Sequence, residues 1–117
     1  MRILVVAPHP DDEVLGCGGA IARHVANGDE VHVVVVGRGI PEQFSDESVA
    51  RSRSELARAH EVLGVTGCRF LDFPVPRLDV VPAHELADAL GSLLQELAPH
   101  TVYLPHHGDI HSDHRQV

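Results

Sequence analysis

Apolar residues follow two patterns along the chain, short continuous runs and stripes that recur at helical spacing. The continuous runs are typical of strands buried on both faces, and they lie at residues 3–7, 30–36, 69–71 and 101–104. The stripes predict helices over residues 14–26, 46–63 and 82–97. Pro74 and Pro76 predict an irregular loop over residues 72–81, between the third strand and the third helix.

Strands and helices alternate regularly, which is typical of a parallel sheet covered by helices on both faces. We therefore predict an α/β fold for a single domain over residues 1–117, with a mostly parallel sheet in the strand order 3-2-1-4. Ligands of such sheets bind at the carboxyl ends of the strands, near the point where the strand order reverses. The first and fourth strands are neighbours in this order, so the residues that follow them should meet in space.

Two polar clusters directly follow these two strands. Residues 9–13 contain one histidine and three acidic residues, and residues 106–114 contain four histidines and two aspartates. Three carboxylates this close together would repel each other unless a positive charge lies among them. A divalent metal is the simplest such charge at a strand end. We interpret the two clusters as one zinc site, with another divalent metal as the alternative.

Catalytic zinc sites use imidazole and carboxylate ligands and keep one position for water. His9, Asp12 and one histidine of the second cluster would supply such a set. Asp11 diverges from its neighbour Asp12 and is better placed beside a zinc-bound water, as a general base. His111 and His114 are three residues apart, so on one helix one could bind the metal while the other donates to a developing oxyanion.

Simpler interpretations exist for parts of both clusters. The three consecutive acidic residues could be only a capping cluster, and Asp11 or Asp12 is expected to cap the helix that follows. Asp109 and Asp113 could orient a ligand histidine, or could be loop and cap residues. The roles of residues 106–107 are left open. Isolated histidines elsewhere are taken as surface or hydrogen-bonded residues, namely His24, His32, His60, His84 and His100.

Composition restricts the class of partner. The formal net charge is −8, which argues against a nucleic-acid partner because counterion release requires a basic surface. Cys17 and Cys68 form no Cys-x-x-Cys motif, which is typical of a reducing compartment. Neither a signal peptide nor a segment with the length of a membrane span is evident, so we predict a cytoplasmic protein without a membrane partner. The oligomeric state is left open, with a homo-oligomer as one option.

Residues 7–19, Ala-Pro-His-Pro-Asp-Asp-Glu-Val-Leu-Gly-Cys-Gly-Gly, and residues 111–115, His-Ser-Asp-His-Arg, together resemble the PIG-L (LmbE-like) N-deacetylase family. That family has a His-Pro-Asp-Asp-Glu box after its first strand and a His-x-Asp-His box after a later one. Residues 55–64 resemble its second helix, and the chain corresponds to its N-terminal half. The resemblance implies a Rossmann-like three-layer fold and zinc-dependent removal of an N-acetyl group from an N-acetylglucosamine-containing small molecule or glycoconjugate.

The resemblance also implies a role for each residue of the two boxes. His9, Asp12 and His114 would be the zinc ligands. Asp11 would be the general base that activates the zinc-bound water, and it would later pass the proton to the amine. His111 would stabilise the tetrahedral oxyanion.

Two features depart from the family's pattern. Many members carry a substrate-binding arginine three residues before the glutamate of the second helix, but that position is Ser52 here, flanked by the candidates Arg51 and Arg53. Family members usually continue well past the second box, so the chain is expected to be part of a longer domain. The alternative function is a non-catalytic metal-binding or assembly module of the same fold. A nucleotide-binding domain is a third hypothesis, which rests on the fold alone.

Overall fold

The computed structural model describes residues 1–117 and contains four strands and four helices. The strands are β1 (Arg2–Ala7), β2 (Glu30–Gly39), β3 (Gly67–Val75) and β4 (Thr101–Tyr103). The helices are α1 (Asp12–Ala26), α2 (Asp46–Leu63), α3 (Ala83–Leu97) and α4 (Ser112–Gln116). A 3₁₀ turn, Leu78–Val80, connects β3 to α3.

The four strands form one parallel sheet in the order β3-β2-β1-β4, which confirms the predicted fold class and strand order. Leu4 of β1 lies opposite His32 of β2 and Val102 of β4. Because β1 and β4 are adjacent and parallel, the loops that leave their carboxyl ends lie side by side. The sheet therefore brings together the two polar clusters that the sequence separates.

Alternate residues of β1 and β2 point to opposite faces of the sheet and pack against different helices. One buried cluster joins the sheet to α3 and the 3₁₀ turn, and consists of Leu4, Val6, Val34, Val36, Val75, Leu78, Leu86, Leu93 and Leu97. The other joins the sheet to α1 and α2, and consists of Ile3, Val5, Ile21, Val31, Val33, Val35 and Leu56. Both faces are covered, which confirms the three layers and explains why the strand runs are continuously apolar.

Three details differ from the sequence-based expectation. The second strand was predicted over residues 30–36, and β2 continues to Gly39. The third strand was predicted over residues 69–71, with an irregular loop after it, but β3 continues through Pro74 to Val75. Proline is tolerated there because β3 is an edge strand of the sheet. On α3 the predicted apolar stripe packs on the core except at Leu94, whose residue surface is 42% exposed.

Cys17 and Cys68 are both free, and burial raises the pKa of the Cys68 thiol to about 11. No helix combines the length and the apolar character that crossing a bilayer requires.

Gly37 of β2 allows the loop after β1 to lie directly against the sheet. Its N–H donates to the carbonyl oxygen of Pro8 at 3.0 Å. A Cβ atom at Gly37 would lie 2.8 Å from that oxygen and would overlap the side chain of Val75. The missing side chain therefore fixes how closely the Pro8 backbone, and the His9 that follows it, approach β2.

Glu13 and His60 join α1 to α2 beneath the same loop. Both residues are buried, and Oε1 of Glu13 lies 2.8 Å from Nε2 of His60. The other carboxylate oxygen of Glu13 accepts the backbone N–H of Asp11 at 3.2 Å. One buried carboxylate thus links the second helix to the backbone that carries the proposed base.

We expect Gly37→Ala to lower the free energy of unfolding by about 1–3 kcal/mol, because the new methyl group overpacks against Val75 and Pro8. Gly91→Ala on α3 is the matched control, because a Cβ atom there meets nothing within 4 Å. That control should leave stability unchanged or raise it by up to about 1 kcal/mol. Urea unfolding followed by circular dichroism measures both, and equal stability of the two variants would contradict the close approach.

We expect His60→Leu to destabilise the fold by about 3–5 kcal/mol, because it leaves the carboxylate of Glu13 buried without its partner. His60→Gln should lower the free energy of unfolding by less, since an amide N–H can still donate to Oε1 of Glu13. Arg69→Gln is the comparison variant. It removes an exposed ion pair with Glu96 and should change stability little. Similar unfolding midpoints for His60→Leu and Arg69→Gln would show that Glu13 needs no partner.

Candidate metal centre and active site

The loop between β1 and α1 presents His9, Asp11 and Asp12 at the carboxyl end of β1. The N–H of His9 donates to Oδ2 of Asp12 at 2.8 Å, which fixes that carboxylate beside the histidine. Asp11 occupies the N-cap position of α1, as predicted for one of the two aspartates. Its side chain makes no capping hydrogen bond, so the expectation of a side-chain cap is wrong and its carboxylate is available for other contacts.

The backbone of Asp11 has a conformation that is uncommon for a residue with a side chain. Its φ of 108° lies in the left-handed region, where a residue other than glycine is held only if its surroundings fix it. Its N–H donates to Glu13 at 3.2 Å, and its carbonyl oxygen accepts the N–H groups of Val14 and Leu15 at 3.0 and 2.9 Å. These bonds fix the start of α1, and with it the origin of the Asp11 side chain.

The second cluster is held by the buried carboxylate of Asp113, at the start of α4. Its Oδ1 accepts the N–H of Leu78 at 2.9 Å, and its Oδ2 lies 2.7 Å from Nε2 of His9. The N–H of Asp113 donates to Nδ1 of His111, the N-cap residue of α4, at 3.1 Å. Asp113 therefore connects α4, the turn before α3 and the loop after β1.

Three donor atoms converge between the two loops. Nδ1 of His9 and Nε2 of His114 lie 3.4 Å apart, and they lie 3.4 and 3.2 Å respectively from Oδ2 of Asp12. A tetrahedral zinc ion with bonds of about 2.0–2.1 Å separates its ligand atoms by about 3.3–3.4 Å. The triangle therefore has the size that zinc requires.

The remaining nitrogen of each histidine in this triangle faces a carboxylate. Asp113 holds Nε2 of His9, and Oδ2 of Asp109 lies 3.1 Å from Nδ1 of His114. Carboxylates in this position orient histidine ligands of metals and raise their basicity. A second set of donors, His9, His111 and Asp113, also lies within 4.8 Å. The first set suits a metal better, because both oxygens of Asp113 already have partners.

Electrostatic interactions shift the pKa values of three groups in the first loop. The hydrogen bond with Asp12 raises the pKa of His9 despite the opposing effect of burial. Burial of Asp12 would raise its pKa, but the hydrogen bonds with His9 and the nearby His114 lower it overall. Desolvation, followed by the charges of Asp12 and Glu13, raises the pKa of Asp11. A metal that binds here competes with the proton on His9.

Other residues singled out in the sequence lie at different distances from this triangle. The ring of His111 is centred 4.7 Å from that of His9 and 5.1 Å from that of His114. His106 lines a cavity of about 470 Å³ together with Asp12, Asp109 and His114, whereas His107 does not. The structure thus leaves His107 outside the site.

A second cavity, of about 350 Å³, lies on the Asp11 side of the centre. Arg53 lines it, and so does Ser52. Arg51 does not line it. Its side chain is 68% exposed and pairs with Glu47 one turn earlier at 3.6 Å. Of the two candidate arginines, only Arg53 therefore faces the site.

The pair formed by Glu13 and His60 was not predicted from the sequence. His60 was expected to be a surface or hydrogen-bonded residue without a part in the site, and it is a buried hydrogen-bonding partner. One signal could have identified it, because His60 recurs at helical spacing between Leu56 and Leu63 on the apolar face of α2.

Comparisons with known proteins identify the family to which the chain belongs. The PIG-L family profile, described as GlcNAc-PI de-N-acetylase, matches residues 4–117. One relative is the 1D-myo-inositol 2-acetamido-2-deoxy-alpha-D-glucopyranoside deacetylase of Mycobacterium sp. (strain KMS). The two sequences are 33% identical over an alignment of 145 positions, which covers 99% of this chain and 47% of that protein.

Two solved structures share the fold closely. The N,N'-diacetylchitobiose deacetylase of Pyrococcus horikoshii has a TM-score of 0.83 and 29% identity, covering 98% of this chain and 45% of that one. GalB, the 4-carboxy-2-hydroxymuconate hydratase of Pseudomonas putida KT2440, has a TM-score of 0.81 and 26% identity, covering 97% of this chain and 50% of that one. The chain spans about half the length of these proteins. Since the family profile covers nearly all of its residues, the chain belongs to the PIG-L (GlcNAc-PI de-N-acetylase) family.

Proposed function

We propose that this chain carries the metal centre of a zinc-dependent N-deacetylase. The substrate class is an N-acetylglucosamine-containing small molecule or glycoconjugate, and the products are acetate and a free amine. His9, Asp12 and His114 would hold the zinc ion. The observation that carries the proposal is their triangle of donor atoms, whose edges of 3.2–3.4 Å suit tetrahedral zinc.

When bound, zinc would act as a Lewis acid and lower the pKa of a water molecule to about 7. The protein's own contribution begins with Asp11, the carboxylate next to the metal ligands that makes no hydrogen bond or ion pair. It would take the proton of the attacking water and pass it to the nitrogen as the C–N bond breaks. The water oxygen would leave in acetate, and the amine would gain the proton.

His111 would stabilise the charge that develops on the acetamide oxygen. Its Nδ1 accepts the N–H of Asp113 at 3.1 Å, so Nε2 is the nitrogen that can carry a proton for donation. The His111 ring lies against that of His9, close to the proposed metal position. A donor held there would interact more strongly once the oxygen becomes negative, which is the condition for accelerating the reaction.

The mycobacterial and archaeal relatives support the reaction class, because both are deacetylases of acetamido sugars by name. GalB has the same fold and is named a hydratase. The fold alone therefore does not identify the reaction, and acetate release is the decisive measurement. Stoichiometric zinc without acetate release from any acetamide would favour the alternative, a non-catalytic metal-binding or assembly module.

We expect the chain to bind one zinc ion, and His114→Ala to remove that binding. Asp109→Ala should weaken zinc affinity by about 10–100-fold, because it leaves the ligand in place and removes only the carboxylate that orients it. His84→Ala, an exposed histidine on α3, is the matched control and should bind zinc normally. Isothermal titration with zinc measures all four proteins, and unchanged affinity in His114→Ala would exclude the proposed ligand set.

We expect Asp11→Asn to keep zinc affinity and to lower acetate release from an N-acetylglucosamine conjugate by about 10²–10⁴-fold, because an amide cannot accept the proton. Asparagine suits the test, since it tolerates the left-handed backbone of residue 11. Asp88→Asn, an exposed aspartate on α3, is the control. Acetate release by Asp11→Asn at the rate of this control would eliminate Asp11 as the base.

A further inference from the structure

The cavity on the Asp11 side of the centre has a charge opposite to that of the chain as a whole. Its polar lining consists of His9, Asp11, Arg38, Ser48, Ser52 and Arg53. Asp11 is the only carboxylate among the lining residues, whereas two are arginines. The chain carries a net charge of −8, so this concentration of guanidinium groups is a local feature.

The acidic partners of these arginines stand outside the cavity. Arg38 of β2 lies 3.1 Å from Oδ1 of Asp46, whose side chain is 97% exposed. Arg53 of α2 pairs with Asp72, whose side chain is about half exposed. Neither aspartate lines the cavity. Because exposed ion pairs contribute little free energy, an anion that enters the cavity can replace these partners.

Arg53 is held in place before any ligand binds. Its guanidinium lies 4.1 Å from the centre of the Phe70 ring, and its side chain is only 29% exposed. A stacked guanidinium presents its planar donors along its edge, and it loses little entropy when another anion replaces Asp72. Arg53 therefore provides an ordered donor beside the more exposed Arg38.

We propose that this cavity binds an anionic group, a phosphate or a carboxylate, on the molecule whose acetamide lies at the metal centre. Arg38 and Arg53 would be its ligands. The inference rests on the proposed function in assigning the acetamide to the centre next to Asp11. The volume of about 350 Å³ lies at the lower end of the range for small-molecule sites, so the cavity has room for a sugar-sized group with a small anion.

The test compares sugars that differ in charge. N-Acetylglucosamine 1-phosphate and 6-phosphate supply a phosphate, N-acetylmuramic acid supplies a carboxylate, and methyl N-acetylglucosaminide is the neutral reference. Isothermal titration gives their dissociation constants with the zinc-loaded chain and again in EDTA. We expect an anionic sugar to bind at least about tenfold more tightly than the reference under both conditions, as charged hydrogen bonds provide.

Three variants identify the source of this preference. Arg38→Gln should reduce the preference at least about threefold, and Arg38→Gln with Arg53→Gln should remove it. Arg51→Gln is the matched control, because Arg51 stands on the same helix and outside the cavity, and it should keep the preference. Thermal unfolding checks that each variant is folded. If the double variant does not fold, Arg38→Gln alone decides the test, since the Arg38 side chain is 41% exposed and its replacement is not expected to unfold the protein.

The proposal is overturned by equal affinity for charged and neutral sugars, or by no binding of any anionic sugar at millimolar concentration. It is also overturned if the preference disappears in EDTA, which would assign it to the metal, or if Arg51→Gln loses it equally. Failure of the deacetylase proposal gives a different result, namely an Arg38-dependent preference without acetate release. Acetate release at equal rates from charged and neutral sugars, with equal affinities, would retain the deacetylase and reject the anion site.

Discussion

Three segments of the chain meet at the carboxylate of Asp113, and the geometry of the site depends on that contact. Asp113 is fully buried and holds the N–H of Leu78 and the imidazole of His9. A buried carboxylate without such partners would be strongly destabilising, so its burial requires that the turn before α3 and the loop after β1 stay in contact with α4. A helix of five residues has little stability of its own, and this anchor positions His114 opposite His9.

The fold could be predicted from the sequence because its clearest patterns, the apolar runs and stripes, consist of the residues that pack in the core. The valine-rich runs predicted β1 and β2, and alternation with amphipathic segments predicted a parallel sheet in the order that the structure has. The length of β3 could not be predicted in the same way. Pro74 normally interrupts a strand, and only its position at the edge of the sheet allows β3 to reach Val75. The predicted strand order already placed this strand at the edge, but the length over which an edge strand pairs with its neighbour depends on contacts in the assembled sheet.

The site was predictable in part for a similar reason. Topology brings the ends of β1 and β4 together, so the meeting of His9 with the second cluster followed from the strand order. The partners that hold these residues could not be predicted, because they belong to parts of the chain that carry no recognisable motif. The N–H of Leu78 belongs to a turn, and His60 belongs to the apolar face of α2. Likewise, sequence left the choice between Arg51 and Arg53 open, because only the packing of α2 determines which arginine faces the cavity.

The pairing of charges gives a physical reason to single out Asp11. Asp12 lies against His9 and His114, Glu13 against His60, Asp109 against His114, and Asp113 against His9. Every carboxylate around the centre thus has a histidine partner except that of Asp11, which makes no hydrogen bond or ion pair. The partnered carboxylates are committed to holding the site together. Asp11 is therefore the one acidic group of the site that can gain and lose a proton without breaking a contact that the fold requires.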